Sequence, residues 1–513
     1  MRPDSGSPTP TGGRALAVID VGSNSGRIVV LRIRETGHLE VLADSRAPLR
    51  LARDVQRSGR ISETAIARTA AAVKDFGAIA AGAGAEQIVA VATSAVRDSA
   101  NAAELLDRVG AVAGMPVRVI TGADEARHAL RGAIHGLPVT DGLLMDIGGG
   151  SLELASFSRR RLVRSWTLPL GALRTSDEFL RSDPPTGPQI DGLRRRAAEL
   201  LGSSEVPILA GSGLLVGTGG TVRNLAKIDR RVRAYPIPRL HGHVLERPRV
   251  EQIGVRLAAR TGGRRRSVPG LNRDRADSIV GGAMVALIVM RHVGATQLLV
   301  SGQGLREGLA LDAAGVPESS VEAGREASVA ALAARFSEWD AQRADRRSAL
   351  IRQLSAAAWP DAGDEMAERL RHAAVLLDVG RSIDYYRRHQ HTADIVAEAD
   401  LAGFTHRQLA LLAAVIRSAG DESVRWRPYR PLLTAEDKGD LARASVLLSL
   451  ADAAEQRLSP SAAAAARCRR RQGAVELELP ISDPWLAESL ARRYAAAFGD
   501  RLEILAPSAA EAG

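Results

Sequence analysis

Two short segments of the sequence share one frame. Asp20-Val-Gly-Ser-Asn-Ser25 and Asp146-Ile-Gly-Gly-Gly-Ser151 both read Asp, apolar, Gly, two further residues, Ser, and each lies between two apolar, strand-like runs. Two residues after each Ser stands a charged side chain, Arg27 in one copy and Glu153 in the other. A strand that ends in Asp and turns back through Gly and Ser can aim several backbone N–H groups at one point. Glycine allows close approach and serine adds a hydroxyl donor, so such a tip can cradle a phosphate. The Asp offers the hard oxygen that Mg²⁺ prefers. One copy alone reads as readily as a tight hairpin with its Asp serving the turn. Two copies facing across a cleft would grip neighbouring phosphates from opposite sides. A third loop, Gly217-Thr-Gly-Gly-Thr221, follows the apolar Leu214-Leu-Val216 and opens a helical stretch over 222–228. Glycines ahead of a helix leave free N–H groups at its positive end, which is a third anion site.

The elements that must position these loops alternate in type. Strand patterns at 15–19, 28–31, 88–92 and 117–120 are interleaved with helices: one capped by Ser62 and closed by Gly77, one capped by Asn101, one beginning near Asp124. Residues 143–311 repeat the alternation, which implies α/β layers. From about 313 the chain turns to Ala, Leu and Arg at helical spacing, as in Val329-Ala-Ala-Leu-Ala-Ala-Arg335 and Leu409-Ala-Leu-Leu-Ala-Ala-Val415. Pro460 and the Ala/Arg stretch after it read as a linker in which Arg467, Arg469, Arg470 and Arg471 are solvated or extend an anion track. A strand–helix–strand unit over 474–479, 484–498 and 502–505 ends the chain. The expected division is a disordered tail (1–13), α/β domain I (14–132), α/β domain II (133–312), a helical domain (313–458) and a linker with a small C-terminal α+β unit (459–513).

Composition limits the partners. The 513 residues are 45% hydrophobic and 25% charged, which excludes wholesale disorder and a single small module. The net charge of +10 favours a polyanion; only Lys74, Lys227 and Lys438 among the 69 basic residues are lysines, and arginine forks suit phosphate geometry. Aromatics are only 3%, which disfavours nucleic acid bound by base stacking. The longest uncharged apolar run, 278–290, falls short of the ~18–20 residues that cross a bilayer, so no membrane partner is expected. The lone Cys468 excludes an intramolecular disulfide and fits the cytoplasm, as does a first stretch without the apolar core of a secretion signal.

The three loops in this order resemble those of the actin, sugar-kinase and heat-shock ATPase superfamily. Finer motifs resemble the exopolyphosphatase/guanosine pentaphosphate phosphohydrolase (Ppx/GppA) family: Ala92-Thr-Ser-Ala-Val-Arg-Asp98, Gly122-Ala-Asp-Glu-Ala-Arg127, Asp146-Ile-Gly-Gly-Gly-Ser-Leu-Glu153, Leu170-Gly-Ala-Leu-Arg174, His241-Gly242, Pro269-Gly-Leu-Asn-Arg-Asp-Arg-Ala-Asp277 and Gly304-Leu-Arg-Glu-Gly-Leu309. The likeness is close over 15–311 and looser beyond. It implies two actin-like (ribonuclease H-like) domains, then an all-α, degenerate HD-like domain. It implies a phosphoanhydride hydrolase, an exopolyphosphatase releasing terminal orthophosphate from inorganic polyphosphate with Mg²⁺ or another divalent cation. The alternatives are guanosine pentaphosphate as substrate, or a non-catalytic polyphosphate or alarmone regulator. A homodimer accords with the family. The Gly122-Ala-Asp-Glu-Ala-Arg element argues against a sugar-kinase-like phosphotransferase.

Carried over residue by residue, Glu125 orients and deprotonates the attacking water, with Asp124 as its natural control. Read without the family, an acidic residue in a helix's first turn also serves the dipole. Arg97 contacts phosphate, against the alternative of a surface ion pair. Asp146 and Glu153 hold or orient the metal with Asp20 in support; an exposed strand carboxylate is the alternative for Glu153. Gly22, Ser23, Asn24, Ser25, Ser94, Gly148, Gly149, Gly150, Ser151, Gly219, Gly220 and Thr221 cradle phosphate. Arg50-Leu-Ala-Arg-Asp54 departs from the family's pattern by losing two glycines, so a different local shape is expected there. In the HD-like part, carried by Leu376-Leu-Asp-Val-Gly380 and His389-Gln-His-Thr392, the His-Asp doublet reads Leu377-Asp378 and a later His has no counterpart near Arg417-Ser418. Inert scaffold is therefore expected, with His389 and His391 in packing or anion contact rather than metal ligation.

Overall fold

The computed structural model describes residues 13–34, 37–209, 213–459, 466–471, 473–480 and 488–506. The chain divides into two compact units. The first runs to Ala234 and resumes over Arg239–Gly324; the second takes Tyr235–Pro238 and the chain from Arg325 on. No helix among the described residues is long and apolar enough to cross a membrane.

The first unit holds two sheets of related topology. In the first, β1 (Arg14–Val21), β2 (Ser25–Ile33), β3 (Leu39–Pro48), β4 (Gln87–Ala92) and β5 (Arg118–Val119) lie in the order β3-β2-β1-β4-β5. In the second, β6 (Gly142–Ile147), β7 (Leu152–Ser158), β8 (Arg161–Leu168), β9 (Leu215–Thr218), β10 (His243–Glu246) and β11 (Gln297–Val300) lie in the order β10-β11-β9-β6-β7-β8. Each begins as an antiparallel meander and continues by parallel crossovers, with the antiparallel β10 closing the edge of the second, so β1 and β6 hold equivalent central places. Ala17, Val18 and Ile19 of β1 are all buried, the signature of a strand covered on both faces, which is why it reads as an unbroken apolar run. At the carboxyl ends of β1 and β6 the chain direction switches, and that is where open α/β sheets leave a crevice. The repeated frame occupies both places: Asp20 pairs across the hairpin with Arg27, and Asp146 pairs with Glu153.

Helices cover the sheets. The helix Glu63–Gly82 is capped as expected, Ser62 accepting from the Ala65 N–H, and it buries Ile66, Val73 and Phe76. It does not stop at Gly77. A Cβ there would lie 2.9 Å from Met115 Cε, so this glycine lets the next element pack rather than ending the helix. Asn101 precedes Ala102–Ala113, but its side chain binds the Ile61 N–H and C=O instead of capping. The helix Gly122–His135 is capped by Thr121 and crosses the position expected to divide domains I and II. Its Ala126, Ala129, Leu130 and Ala133 pack with Leu144, Phe157 and Val216 of the second sheet. The helix Leu305–Ala313 returns to the first sheet, burying Leu309, Ala310 and Leu311 with Leu16, Val18 and Leu31.

In the second unit, Ala341–Ala358, Gly363–Leu376, Arg388–Glu398, His406–Ala419 and Lys438–Glu455 enclose one apolar core, joined by a small sheet of β12 (Arg467–Arg471), β13 (Ala474–Glu478) and β14 (Arg501–Leu505) with the helix Glu488–Phe498. The arginine run expected in a linker is an edge strand: β12 pairs antiparallel with β13, residue for residue from Arg467↔Glu478 to Arg471↔Ala474. Charged side chains are what a sheet edge carries to deter further pairing. The rest of the expected linker, the start of the last helix at 484 and the tail over 1–12 lie outside the described residues.

Among these helices Arg347 is fully buried. Its Nη2 donates to Asp378 Oδ2 at 2.6 Å and lies 3.2 Å from Asp452 Oδ1, with Glu455 alongside. A guanidinium thus stands against Asp378, the remaining member of the expected His-Asp doublet, together with Asp452 and Glu455, and His389 packs against Gly420. Glu326, Glu368 and His372 also gather, but Glu326 is bonded to Arg371 and His372, and Glu368 to Arg325.

Candidate active site

The carboxyl ends of the two sheets enclose a cleft lined by both hairpin tips, the third glycine loop and the start of the helix bearing Glu125. Each tip hangs on its neighbours by backbone bonds. The Leu49 and Arg50 N–H groups donate to Asn24 O at 3.0 and 2.9 Å, and the Ala52 N–H to Ser23 O at 3.0 Å. Ser23 Oγ lies 2.8 Å from Ser94 Oγ and accepts from the Ala95 N–H, which fixes the first tip to the start of the helix Ser94–Arg97. In the second tip, Gly148 O and Gly149 O accept from the N–H groups of Ala172 and Leu173, both at 2.9 Å. The tips nearly touch: a Cβ on Gly149 would lie 3.3 Å from Asn24 Cβ. Gly219 supplies the closest approach in the third loop. Its φ is +86°, and a Cβ would fall 2.3 Å from Asp146 Oδ1. Only glycine holds that position without strain.

Five carboxylates, Asp20, Glu125, Asp146, Glu153 and Glu307, and several arginines share this space, and burial destabilises both kinds of charge. Burial, with Asp20 and Asp146 nearby, pushes Glu125 up to about 7 although Arg97 opposes the shift. Burial likewise raises Asp146 to about 6, with Asp20 adding to it. Glu153 is raised by burial and by Glu125 and Asp146, and Asp20 is raised by burial. Arg27, Arg223 and Arg275 are pushed the other way, chiefly by burial and further by neighbouring arginines, Arg46 among them for all three. Asp20 Oδ1 and Glu153 Oε1 are buried without a hydrogen-bond partner among the described residues. Such a site gains from two ligands at once, a hard cation for the carboxylates and a polyanion for the arginines.

Most residues singled out from the sequence line this one cleft: Asp20, Gly22, Ser23, Asn24, Ser25 and Ser94 from the first sheet's side, Asp146, Gly148, Gly149, Ser151, Glu153, Gly219 and Gly220 from the second, and Glu125. Glu153 is buried, so it is no exposed strand carboxylate. Arg97 does not line the cleft; its Nη1 donates to Glu125 Oε2 at 3.2 Å and to Ile120 O at 2.9 Å, so it acts on Glu125 rather than on solvent. Gly150 is packed beneath Gly171, whose Cβ would come 2.3 Å from Gly150 C, and Thr221 is buried against Gly282. Asp124, one residue before Glu125, is half-exposed and engaged with Thr121 and Arg127.

Sequence reasoning missed Arg223, Arg275, Arg306, Glu307 and Thr93 as lining residues and noted Arg27 only as a charge. Arg275, Arg306 and Glu307 stood inside motifs already recognised, whereas Arg223 carried no signal beyond its place two residues after a glycine loop. The 50–54 segment, which lacks the two glycines, is helical over Leu51–Ser58 and is entered through Arg50 at φ 56°, where its backbone is left-handed.

Two family models match the chain, the Ppx/GppA phosphatase family over residues 29–315 and Ppx/GppA phosphatase domain III over 325–493. Exopolyphosphatase 1 of Mycobacterium tuberculosis is 34% identical over 300 residues, which are 58% of this chain and 87% of that protein. Exopolyphosphatase 2 of the same organism is 32% identical over 316 residues, covering 58% and 98%. Among solved structures, a Ppx/GppA family member from Aquifex aeolicus aligns with a TM-score of 0.52 at 27% identity, covering 59% of this chain and 98% of its own. An exopolyphosphatase from Cytophaga hutchinsonii gives 0.54 at 26%, covering 60% and 100%.

Proposed function

Because the chain belongs to the Ppx/GppA phosphatase family, we propose that it is an exopolyphosphatase, cleaving orthophosphate from the end of inorganic polyphosphate. The observation that carries this reading is the crowding of destabilised carboxylates beside destabilised arginines in one cleft. Asp20, Asp146 and Glu153 suit a divalent cation, the unpartnered buried oxygens of Asp20 and Glu153 being the kind of donor Mg²⁺ takes. When bound, that cation supplies positive charge to the phosphoryl oxygens.

The chain's own groups do the rest. N–H groups of the two tips and the 218–220 turn hold the terminal phosphate, and Arg27, Arg223 and Arg275 neutralise the following anions. Glu125, poised near neutral pH, orients a water and accepts its proton. The water oxygen bonds to the terminal phosphorus as the anhydride P–O bond breaks, and the electron pair stays on the bridging oxygen of the shortened chain. Arg97 keeps the Glu125 carboxylate aimed into the cleft.

Polyphosphate is preferred to guanosine pentaphosphate on one observation. No aromatic side chain lines the cleft among the described residues, so a guanine would find no stacking surface there. A cytoplasmic site of action rests on the single Cys468, and homodimerisation on the family alone. The test is orthophosphate release from polyphosphates of several lengths and from guanosine pentaphosphate, with and without Mg²⁺. Release from polyphosphate that stops on chelation is expected. Preference for guanosine pentaphosphate would reverse the substrate assignment, and binding of polyphosphate without release would make the protein a regulator.

A further inference from the structure

The two phosphate-cradling tips are each suspended from a short helix, and one side chain ties those two helices together. The first tip hangs on residues 49–52, at the start of Leu51–Ser58. The second hangs on the first turn of Ala172–Phe179. Arg53, on the first helix, donates from Nε to Asp177 Oδ2 at 3.1 Å and from Nη2 to Asp177 Oδ1 at 3.3 Å, a two-pronged grip on the second helix. The same Nη2 reaches Asp277 Oδ2 at 3.1 Å, and Arg50 Nη2 lies 3.6 Å from that oxygen. Beside them Arg46 of β3 binds Asp274, the residue before Arg275, whose guanidinium lines the cleft.

The second helix is also pinned. Leu173, four residues before Asp177 and so on the same helix face, is buried in the core of the first sheet with Ile28, Leu49 and Phe76. Helix Ala172–Phe179 therefore carries a tip at one end, a hydrophobic pin in its first turn and the Arg53 clamp one turn later. The clamp comes from the first turn of Leu51–Ser58, the helix on which the first tip hangs. None of these ion pairs reaches into the cleft; Arg53 and Asp177 are absent from its lining.

We propose that Arg53, acting through Asp177 and Asp277, is a positioning residue that sets the spacing of the two phosphate-cradling tips for hydrolysis. The inference rests on the phosphohydrolase reading for its kinetic arm only. Phosphoryl transfer is mostly placement, and a shift of about 1 Å can cost on the order of a hundredfold in rate. The clamp is one-third exposed on both sides, so it adds little to global stability. Its removal separates geometry from folding.

The experiment compares Arg53→Ala, Asp177→Ala, the double variant and Arg53→Lys in the full chain. Steady-state hydrolysis of polyphosphate is combined with hydrogen exchange of the amides over 148–151 and 172–179 in the absence of substrate. Arg53→Ala is expected to lower kcat by roughly tenfold or more, with KM changed less than about twofold and the melting temperature nearly unchanged. The double variant should be no worse than Arg53→Ala, Arg53→Lys should recover part of kcat, and exchange over 148–151 should quicken in Arg53→Ala. Multiplying effects in the double variant, a raised KM at full kcat, or unaltered exchange would each overturn the proposal. If the wild-type protein releases no orthophosphate, the substrate reading fails while the exchange measurement still decides the clamp.

Discussion

Replacing Glu125 by Gln should remove activity and make the protein more stable at alkaline pH. The Glu125 carboxyl is pushed from 4.5 to about 7, chiefly by burial, with its side chain only 14% exposed. That rise corresponds to roughly 3 kcal/mol of resistance to ionisation in the folded state. The sign follows from the direction. A carboxyl whose folded value lies above its unfolded value is protonated in both states below about pH 4.5, where it costs nothing. As pH rises from there to about 7, the unfolded chain ionises while the folded one resists, so stability falls; above 7 the loss is complete and constant. Glutamine keeps the shape and an oxygen for Arg97 but never ionises. The variant should therefore melt with the wild type near pH 4.5 and several degrees above it at pH 8, by up to ~3 kcal/mol. Thermal denaturation from pH 4.5 to 8.5 reads the effect, with orthophosphate release measured on the same samples. In the wild type, kcat/KM should rise about tenfold from pH 6 to pH 8 as the base ionises. A Gln variant that melts lower at pH 8, that gains equally at pH 4.5, or that still turns over would refute the reasoning.

The neighbouring Asp124→Ala should leave turnover within about twofold, because that carboxylate faces solvent and serves Thr121 and Arg127; kinetics on polyphosphate check it. Gly171→Ala should reduce turnover by more than about a hundredfold, since its Cβ would fall 2.4 Å from Gly149 O and from Ser151 N and must displace the second tip. Arg347→Met should lower the stability of the second unit by about 3 kcal/mol, because Asp378, Asp452 and Glu455 lose their shared, fully buried guanidinium and keep Arg343, Arg346 and Arg388 around them; denaturant unfolding measures it.

What the sequence disclosed was local or repeated. Asp20 and Asp146 could be found because the same hairpin occurs twice, and the registers Asp20↔Arg27 and Asp146↔Glu153 follow from one frame with Ser two places before each charge. The α/β alternation was legible because buried strands and amphipathic helices differ in period. Contacts between distant segments were not. Arg53 meets residues 124 and 224 positions away, and nothing local distinguishes it from the other arginines of a chain rich in them. Gly77 misled because a glycine that makes room for Met115 looks the same as one that ends a helix. The 467–471 strand was hidden because an edge strand made of arginines has no alternation of apolar and polar residues.

The two units each bury a cluster of carboxylates, and they resolve the charge in opposite ways. In the second, burial pushes Asp378 up, but Arg347, with Arg343 and Arg381, outweighs it and holds the carboxyl below its usual value, so the negative charge already has counter-ions supplied by the chain itself. In the first, Arg97 opposes the rise of Glu125 without overcoming it, and Asp20, Asp146 and Glu153 all stay raised. A cluster neutralised from within has little to gain from a ligand. One left uncompensated beside crowded arginines stores electrostatic free energy that only a cation and a polyanion together relieve. That asymmetry, rather than the mere presence of acidic residues, is why the chemistry is assigned to the first unit.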